Sequence, residues 1–183
     1  MKTLIFNGSP RPDGNTSFLV NELRDALSGE TIVVNAYTAG IAPCIDCRDC
    51  WETVGCSMHD GMDEVYGHIL TADAIIIASP VYNSELTPPL MSILSRMQCF
   101  YAALRFLGKR LMPKGRFGAI ILTGGGDGSC ARAQSTAEMA LRHMGAPCRT
   151  VVYSLKTDSL LACEDTGAID NIAALASVMN AIG

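Results

Sequence analysis

The chain has 183 residues, 49% of them hydrophobic and 17% charged, with a formal net charge of −4; that length fits a single domain, 1–183, with a sizeable core. The acidic balance and the lack of any Lys/Arg run argue against a nucleic-acid binder, and the longest apolar runs break well short of a membrane span. Eight cysteines, in a chain whose first strand starts at once with no leader-like segment, read as reduced thiols or ligands in a cytoplasmic protein.

Leu4, Ile5 and Phe6 read as a buried first strand. It feeds the turn Gly8-Ser9-Pro10-Arg11-Pro12-Asp13-Gly14-Asn15-Thr16-Ser17 and then a helix-period segment with Phe18, Leu19, Leu23 and Leu27. Asn15, Thr16 or Ser17 can cap that helix. A strand, a glycine- and hydroxyl-rich turn and a helix N-terminus together make an anion site: backbone N–H groups converge, and the helix dipole adds about half a positive charge. Ser9, Asn15, Thr16 and Ser17 offer short donors to phosphate oxygens, and Arg11 offers a planar fork. The turn reads as a phosphate cradle rather than an ordinary polar connection. Neither the Gly-Lys-Ser/Thr ending of a nucleotide triphosphatase nor the G-x-G-x-x-G of a dinucleotide fold is present.

A second strand is expected over 31–34. Residues 36–60 lack a clear period and hold Cys44, Cys47, Cys50 and Cys56, so they read as a long functional loop, with or without a short helix. The other four cysteines, Cys99, Cys130, Cys148 and Cys163, sit among apolar neighbours and read as small core residues. A helix over 60–70 leads to the apolar run 74–78, which suits a parallel strand buried on both faces. Its C-terminal loop is Ser79-Pro80-Val81-Tyr82-Asn83-Ser84. Pro88 and Pro89 then open one helix running to Leu104. A fourth strand over 117–122 ends in Thr123-Gly124-Gly125-Gly126-Asp127-Gly128. A helix over 131–144, a strand over 147–153 and a last helix capped by Asp165 or Thr166 complete the chain. Five strands alternating with helices predict an α/β fold with a parallel sheet covered on both faces. Ligands in such sheets lie beyond the carboxyl ends of the strands, where the loops after strands one, three and four are rich in Gly, Ser, Pro and Asn.

Gly8-Ser9-Pro10-Arg11 with Gly14-Asn15-Thr16-Ser17, Ala72-Asp73-Ala74 leading into Ser79-Pro80-Val81-Tyr82, and the triple glycine after strand four resemble the NADPH-dependent FMN reductase family of the flavodoxin-like superfamily. The resemblance covers nearly the whole chain. It implies a three-layer sandwich with strand order 2-1-3-4-5. Within that family, Cys44-x2-Cys47-x2-Cys50-x5-Cys56 is similar to the compact motif of the iron–sulfur flavoproteins. Pro43 and Trp51 match relatives of the flavodoxin-like oxidoreductases, whose Asp-Asp-Met is replaced here by Asp60-Gly61-Met62. Carried over by position, the resemblance implies that Ser9, Arg11, Asn15, Thr16 and Ser17 hold the FMN phosphate. Pro80, Val81, Tyr82 and Asn83 would pass the isoalloxazine edge with a backbone N–H near N5. Thr123, Gly124, Gly125 and Gly126 would face the pyrimidine side, where negative charge gathers on reduction.

Flavin chemistry needs no acid–base side chain, and His59, His68 and His143 are isolated, so no catalytic side chain is assigned. Thiolates at this spacing can all reach one [4Fe–4S] cubane; zinc and an unmetallated loop stay open as alternatives. The function expected is an FMN-dependent oxidoreductase using NAD(P)H and passing electrons to a quinone, a flavin or another small acceptor. The alternative is an electron carrier, iron–sulfur or flavodoxin-like, that serves a redox protein; scattered acidic residues such as Glu85 and Asp127 favour the enzyme. A phosphate-ligand sensor without flavin is a third, weaker reading. The apolar segment 90–107 predicts a homodimer or homotetramer with FMN near the seam.

Overall fold

The computed structural model describes residues 1–113, 115–126 and 128–182; Asp127, named above, lies outside the described residues. Strands β1 (Lys2–Asn7), β2 (Glu30–Asn35), β3 (Ala74–Pro80), β4 (Phe117–Gly124) and β5 (Cys148–Leu155) form one sheet in the order β2-β1-β3-β4-β5. Every neighbouring pair is parallel. The fold is flavodoxin-like, as expected.

Alternation along the strands builds two cores. Leu4, Phe6, Ile75, Ile77, Ile120 and Leu122 point to one face, against α2 (Met62–Thr71), α3 (Pro88–Ser95), α4 (Gln98–Leu107) and α5 (Ala131–His143). Ile5, Ile76, Ala119 and Ile121 point to the other, against α1 (Asn15–Ala26) and α6 (Thr166–Ile182). Ile75, Ile76 and Ile77 are all fully buried, each contributing about 1.5–3 kcal/mol, which is why β3 reads as an unbroken apolar run. No helix among the described residues is long and apolar enough to cross a membrane.

Three local readings are corrected. The helix expected from Pro88 to Leu104 is two helices. Arg96 N–H bonds Ile93 O at 3.0 Å and Met97 N–H bonds Leu94 O at 3.1 Å, tight three-residue links that break the α ladder. Hydrophobic spacing hides the break, because Leu90, Ile93, Leu94, Met97 and Phe100 all remain buried across it. That burial also removes much of the segment from any oligomer face and leaves Tyr101, Leu104 and Phe106 exposed. Second, Gly14 stands at the N-cap of α1 and no side chain caps it, since the side chains of Asn15, Thr16 and Ser17 bond elsewhere. At α6 the cap is Asp165, whose carboxylate accepts Ala168 N–H at 3.0 Å. Third, Cys163 is exposed, and Cys130 and Cys148 are only half-buried; of the four scattered cysteines Cys99 alone is a core residue.

Candidate functional site

The turn after β1 is shaped by its own side chains. Asn7, buried at the strand end, accepts Ser9 N–H at 2.9 Å and donates to Ser17 Oγ at 3.2 Å. The Ser9 and Ser17 hydroxyls both donate to Arg11 O, at 2.9 and 2.7 Å. Thr16 Oγ1 meets Thr123 Oγ1 of β4 at 2.6 Å, and Asn15 Oδ1 accepts Ala162 N–H at 2.9 Å. The first helical N–H with a chain partner is that of Phe18, bonded to Gly14 O at 2.9 Å. The N–H groups of Asn15, Thr16 and Ser17 have no acceptor among the described residues, so three donors face outward at the positive end of the α1 dipole.

Asn15 and Thr16 border a cavity of about 150 Å³. Ser9, Arg11, Asn15 and Thr16 form one wall, Pro80, Val81 and Tyr82 a second, and Thr123, Gly124 and Gly125 a third. The three loops named from the sequence therefore meet. Ser17, Asn83 and Gly126 stand beside the cavity without lining it. Thr157 and Asp158, which follow β5, line it as well; their only sequence signal was position, at the carboxyl end of a fifth strand. A Cβ on Gly125 would run into the Asp158 carboxylate, whereas one on Gly126 would meet nothing. The loops are also bolted together beneath the cavity: Thr87 Oγ1 donates to Gly8 O at 2.9 Å and Thr87 N–H to Ser79 Oγ at 3.2 Å.

Along the β3 loop, Val81 N–H is taken by Thr123 O at 2.8 Å and Tyr82 N–H by Glu85 O at 2.9 Å. Asn83 and Ser84, with φ of 52° and 64°, make the two-residue mirror-image turn that normally favours Asn-Gly. Their N–H groups have no partner among the described residues. The first backbone donor free to meet a ligand here is therefore that of Asn83, not Val81 or Tyr82. Tyr82 itself is exposed at the rim.

The cysteine loop lies elsewhere. Cys44, Cys47, Cys50 and Cys56 all line one cavity of about 310 Å³, which shares no lining residue with the first. Its path includes a single 3₁₀ turn over Asp49–Trp51, and left-handed backbone at Asp46 and Arg48, φ 53° and 69°, falls between successive cysteines. Trp51 stacks on Phe106 of α4 at 4.4 Å between ring centroids. Gly61 belongs to this path, because a Cβ there would run into the Ala39 carbonyl; a second Asp in place of Gly61 would not fit.

The base of the loop is closed by Arg96, whose side chain has no exposed surface. Its Nη1 donates to Ala42 O at 3.0 Å and Asp60 Oδ2 at 2.8 Å, and its Nη2 to Met58 O at 3.0 Å. Ala42 precedes the first cysteine and Met58 follows the last. Sequence reading missed Arg96, which lies at the break between α3 and α4 and carries no motif. Burial alone would raise the Asp60 carboxyl; hydrogen bonds from Arg96, Met62 N–H and Ala42 N–H outweigh it and hold the group below the usual carboxylate range. Burial pushes the Cys50 thiol up, and Cys47, Cys44 and Cys56 push it further, since neighbouring thiolates repel. The Cys99 thiol, also on this cavity, is pushed by burial up to about 11. Among the described residues no three His, Cys, Asp or Glu side chains converge on a point that would hold a single metal ion.

The chain is similar in sequence and fold to known proteins. The family described as NADPH-dependent FMN reductase matches residues 1–157. An iron–sulfur flavoprotein of Methanocaldococcus jannaschii is 36% identical over 99 residues, 52% of this chain and 51% of that one. Another, from Methanosarcina thermophila, is 30% identical over 128 residues, covering 68% and 64%; the chain thus spans about half to two-thirds of the length of these relatives. Among solved structures, an FMN-dependent NADH-azoreductase from Bacillus anthracis in complex with FMN superposes with a TM-score of 0.68 at 18% identity, covering 98% of this chain and 100% of that one. A flavodoxin of Streptococcus pneumoniae gives 0.59 at 17% identity, covering 100% and 99%. By its matched length and its sheet order, the chain belongs to the NADPH-dependent FMN reductase family.

Proposed function

We propose that the protein is an FMN-dependent NAD(P)H oxidoreductase that carries a [4Fe–4S] cluster on its cysteine loop and delivers electrons to an acceptor. The observation that carries the flavin half is the meeting of the Asn15 and Thr16 N–H groups, which have no partner among the described residues, with the Arg11 side chain on one cavity at the carboxyl edge of the sheet, the Ser17 N–H standing beside it. That donor set fits a phosphate dianion. A cavity of about 150 Å³ holds the phosphoryl end, while the ring would lie over the open rim formed by Tyr82, Asn83 and Gly124. Bound flavin supplies two-electron uptake from the nicotinamide. The chain's part is to grip the phosphate, to offer Asn83 N–H at the ring edge and to keep the pyrimidine side close to backbone through Gly124 and Gly125.

The cysteine cavity fits a cubane better than zinc. Four thiols surround one space without a common focus, and a cubane takes each thiolate at a different iron. Their mutual repulsion, visible at Cys50, is relieved by a cationic metal core. A cluster accepts single electrons, so the acceptor favoured is a one-electron redox protein, with a quinone or other small molecule as the alternative. Exposed Trp51, Val54, Leu104 and Phe106 lie on the cysteine loop and the adjoining α4 and suit contact with a second copy of the chain. Light scattering that returns a monomer at micromolar concentration would remove that homodimer.

The deciding experiment is binding and spectroscopy on anaerobically prepared protein. FMN is expected to bind at least about 100-fold more tightly than riboflavin, because charge-assisted bonds to phosphate contribute about 1.5–3 kcal/mol each. Arg11→Ala should weaken FMN about tenfold and leave riboflavin unchanged. Equal affinity for the two flavins would sink the phosphate cradle. NADPH should bleach the bound flavin in stopped flow; a flavin that stays oxidised would make the protein a carrier.

A further inference from the structure

Two buried side-chain polar atoms among the described residues lack a hydrogen-bond partner: the Thr31 hydroxyl and Nε of Arg96. Thr31 lies on the edge strand β2. Arg96 lies against the cysteine cavity, fully buried, with both terminal nitrogens bonded and Nε alone left over. A buried charged donor without an acceptor is strongly disfavoured, and such donors in folded proteins generally have one. The described residues offer none. Arg96 and Cys56 line the same cavity. Cys56 is one of the four loop cysteines, so the vacant donor and the cluster ligands share one small space.

We infer that Arg96 keeps its Nε–H for a sulfur of the cluster or of its Cys56 ligand, so that one buried cation both closes the cysteine loop and stabilises the reduced cluster. The inference rests on the cluster reading above. Its physical content is a sign. Reduction adds negative charge to the cluster, and a fixed positive charge with an N–H···S bond favours that state and raises the potential. Asp60, paired with the same guanidinium at 2.8 Å, opposes it. Removing Arg96 and removing the Asp60 charge must therefore move the potential in opposite directions. A residue that merely braced the loop would give shifts of one sign, because either variant would loosen the same contacts.

The test is a dye-mediated redox titration of the anaerobically reconstituted holoprotein, followed by the electron paramagnetic resonance of the reduced cluster. With the potential poised at the wild-type midpoint, Arg96→Gln should lower the reduced-to-oxidised ratio about tenfold, 59 mV for one electron. Arg96→Lys should lower it by less, and Asp60→Asn should raise it. If Arg96→Gln does not keep its cluster, the other two decide: a fall in Arg96→Lys with a rise in Asp60→Asn supports the assignment. Shifts of the same sign, or none, overturn it. Iron and sulfide analysis of the wild type separates the two readings. A full cubane complement with unmoved potentials removes only the role of Arg96, while absence of iron and sulfide removes the cluster and the inference together.

Discussion

With the proposed ligands bound, the phosphate turn and the cysteine loop would hold them in opposite ways. In the turn after β1 the groups left to meet a ligand are backbone N–H donors, aimed by a regular helix, and the side chains mostly brace the turn itself: Ser9 and Ser17 onto Arg11 O, Thr16 onto Thr123. In the cysteine loop the proposed ligands are side chains, and the backbone has no regular ladder to aim them. Order there comes from a distant cation, Arg96, which bonds both ends of the loop across 54 and 38 residues of sequence. The helix end carries its donors wherever the helix packs; the irregular loop is held by long-range contacts, those of Arg96 and the stacking of Trp51 on Phe106 among them.

That contrast predicts the largest effect at Arg96. Arg96→Ala leaves Ala42 O and Met58 O without the guanidinium and Asp60 without its countercharge, and breaking a buried charge pair in this way costs about 3–5 kcal/mol. For a chain of this size the melting temperature should fall by roughly 10 °C. Circular dichroism on the apo-protein reads this directly, and it should move far more than for Arg11→Ala, whose side chain is exposed. Equal shifts for the two variants would erase the distinction between a turn that carries itself and a loop that is carried.

A smaller effect has a defined sign in pH. Burial disfavours the ionised Asp60, but Arg96 and two backbone N–H groups hold its folded pKa below the ordinary value. The stabilisation is therefore present in full above the unfolded carboxylate pKa of about 3.9. It is lost as pH falls through the depressed folded value, where both states become protonated. Denaturant midpoints taken down the acid limb should show a slope that Asp60→Asn reduces. An unchanged slope would mean that the carboxylate gains nothing from the guanidinium.

The same contrast explains what could be read from the residues alone. Ala74 to Ala78 declares a doubly buried strand, and Gly8 to Ser17 declares a turn feeding a helix, because both are local patterns. The three loops at the carboxyl edge could be named together because parallel connectivity brings them there. What stayed hidden was non-local: the break at Arg96 inside an unbroken apolar periodicity, the pairing of Thr16 with Thr123, and the arrival of Thr157 and Asp158 at the cavity. Side-chain allegiance was also hidden. Asn15, Thr16 and Ser17 look like caps by type, yet each bonds away from the helix end and leaves its backbone N–H free.

The smallest predicted effect lies in the hairpin beside the phosphate cavity, which resembles the cysteine loop in one respect. Both keep non-glycine residues in left-handed backbone: Asn83 and Ser84 here, Asp46 and Arg48 there. For Ser84 this conformation costs about 1–2 kcal/mol, only partly offset by the greater freedom of glycine in the unfolded chain. Ser84→Gly should therefore stabilise the protein by about 0.5–1 kcal/mol, raising the melting temperature by roughly 2–3 °C. The turn is anchored whatever its second residue, since Ser84 O accepts Ala133 N–H at 3.0 Å and Glu85 binds Thr136 at 3.1 Å. If Ser84→Gly raises stability and leaves FMN affinity alone, the strain is incidental and the turn is scaffold. If stability rises while FMN affinity falls, the turn has been held stiff so that Asn83 N–H stays presented to the flavin, and the phosphate side of the site shares the strategy of the cysteine loop after all.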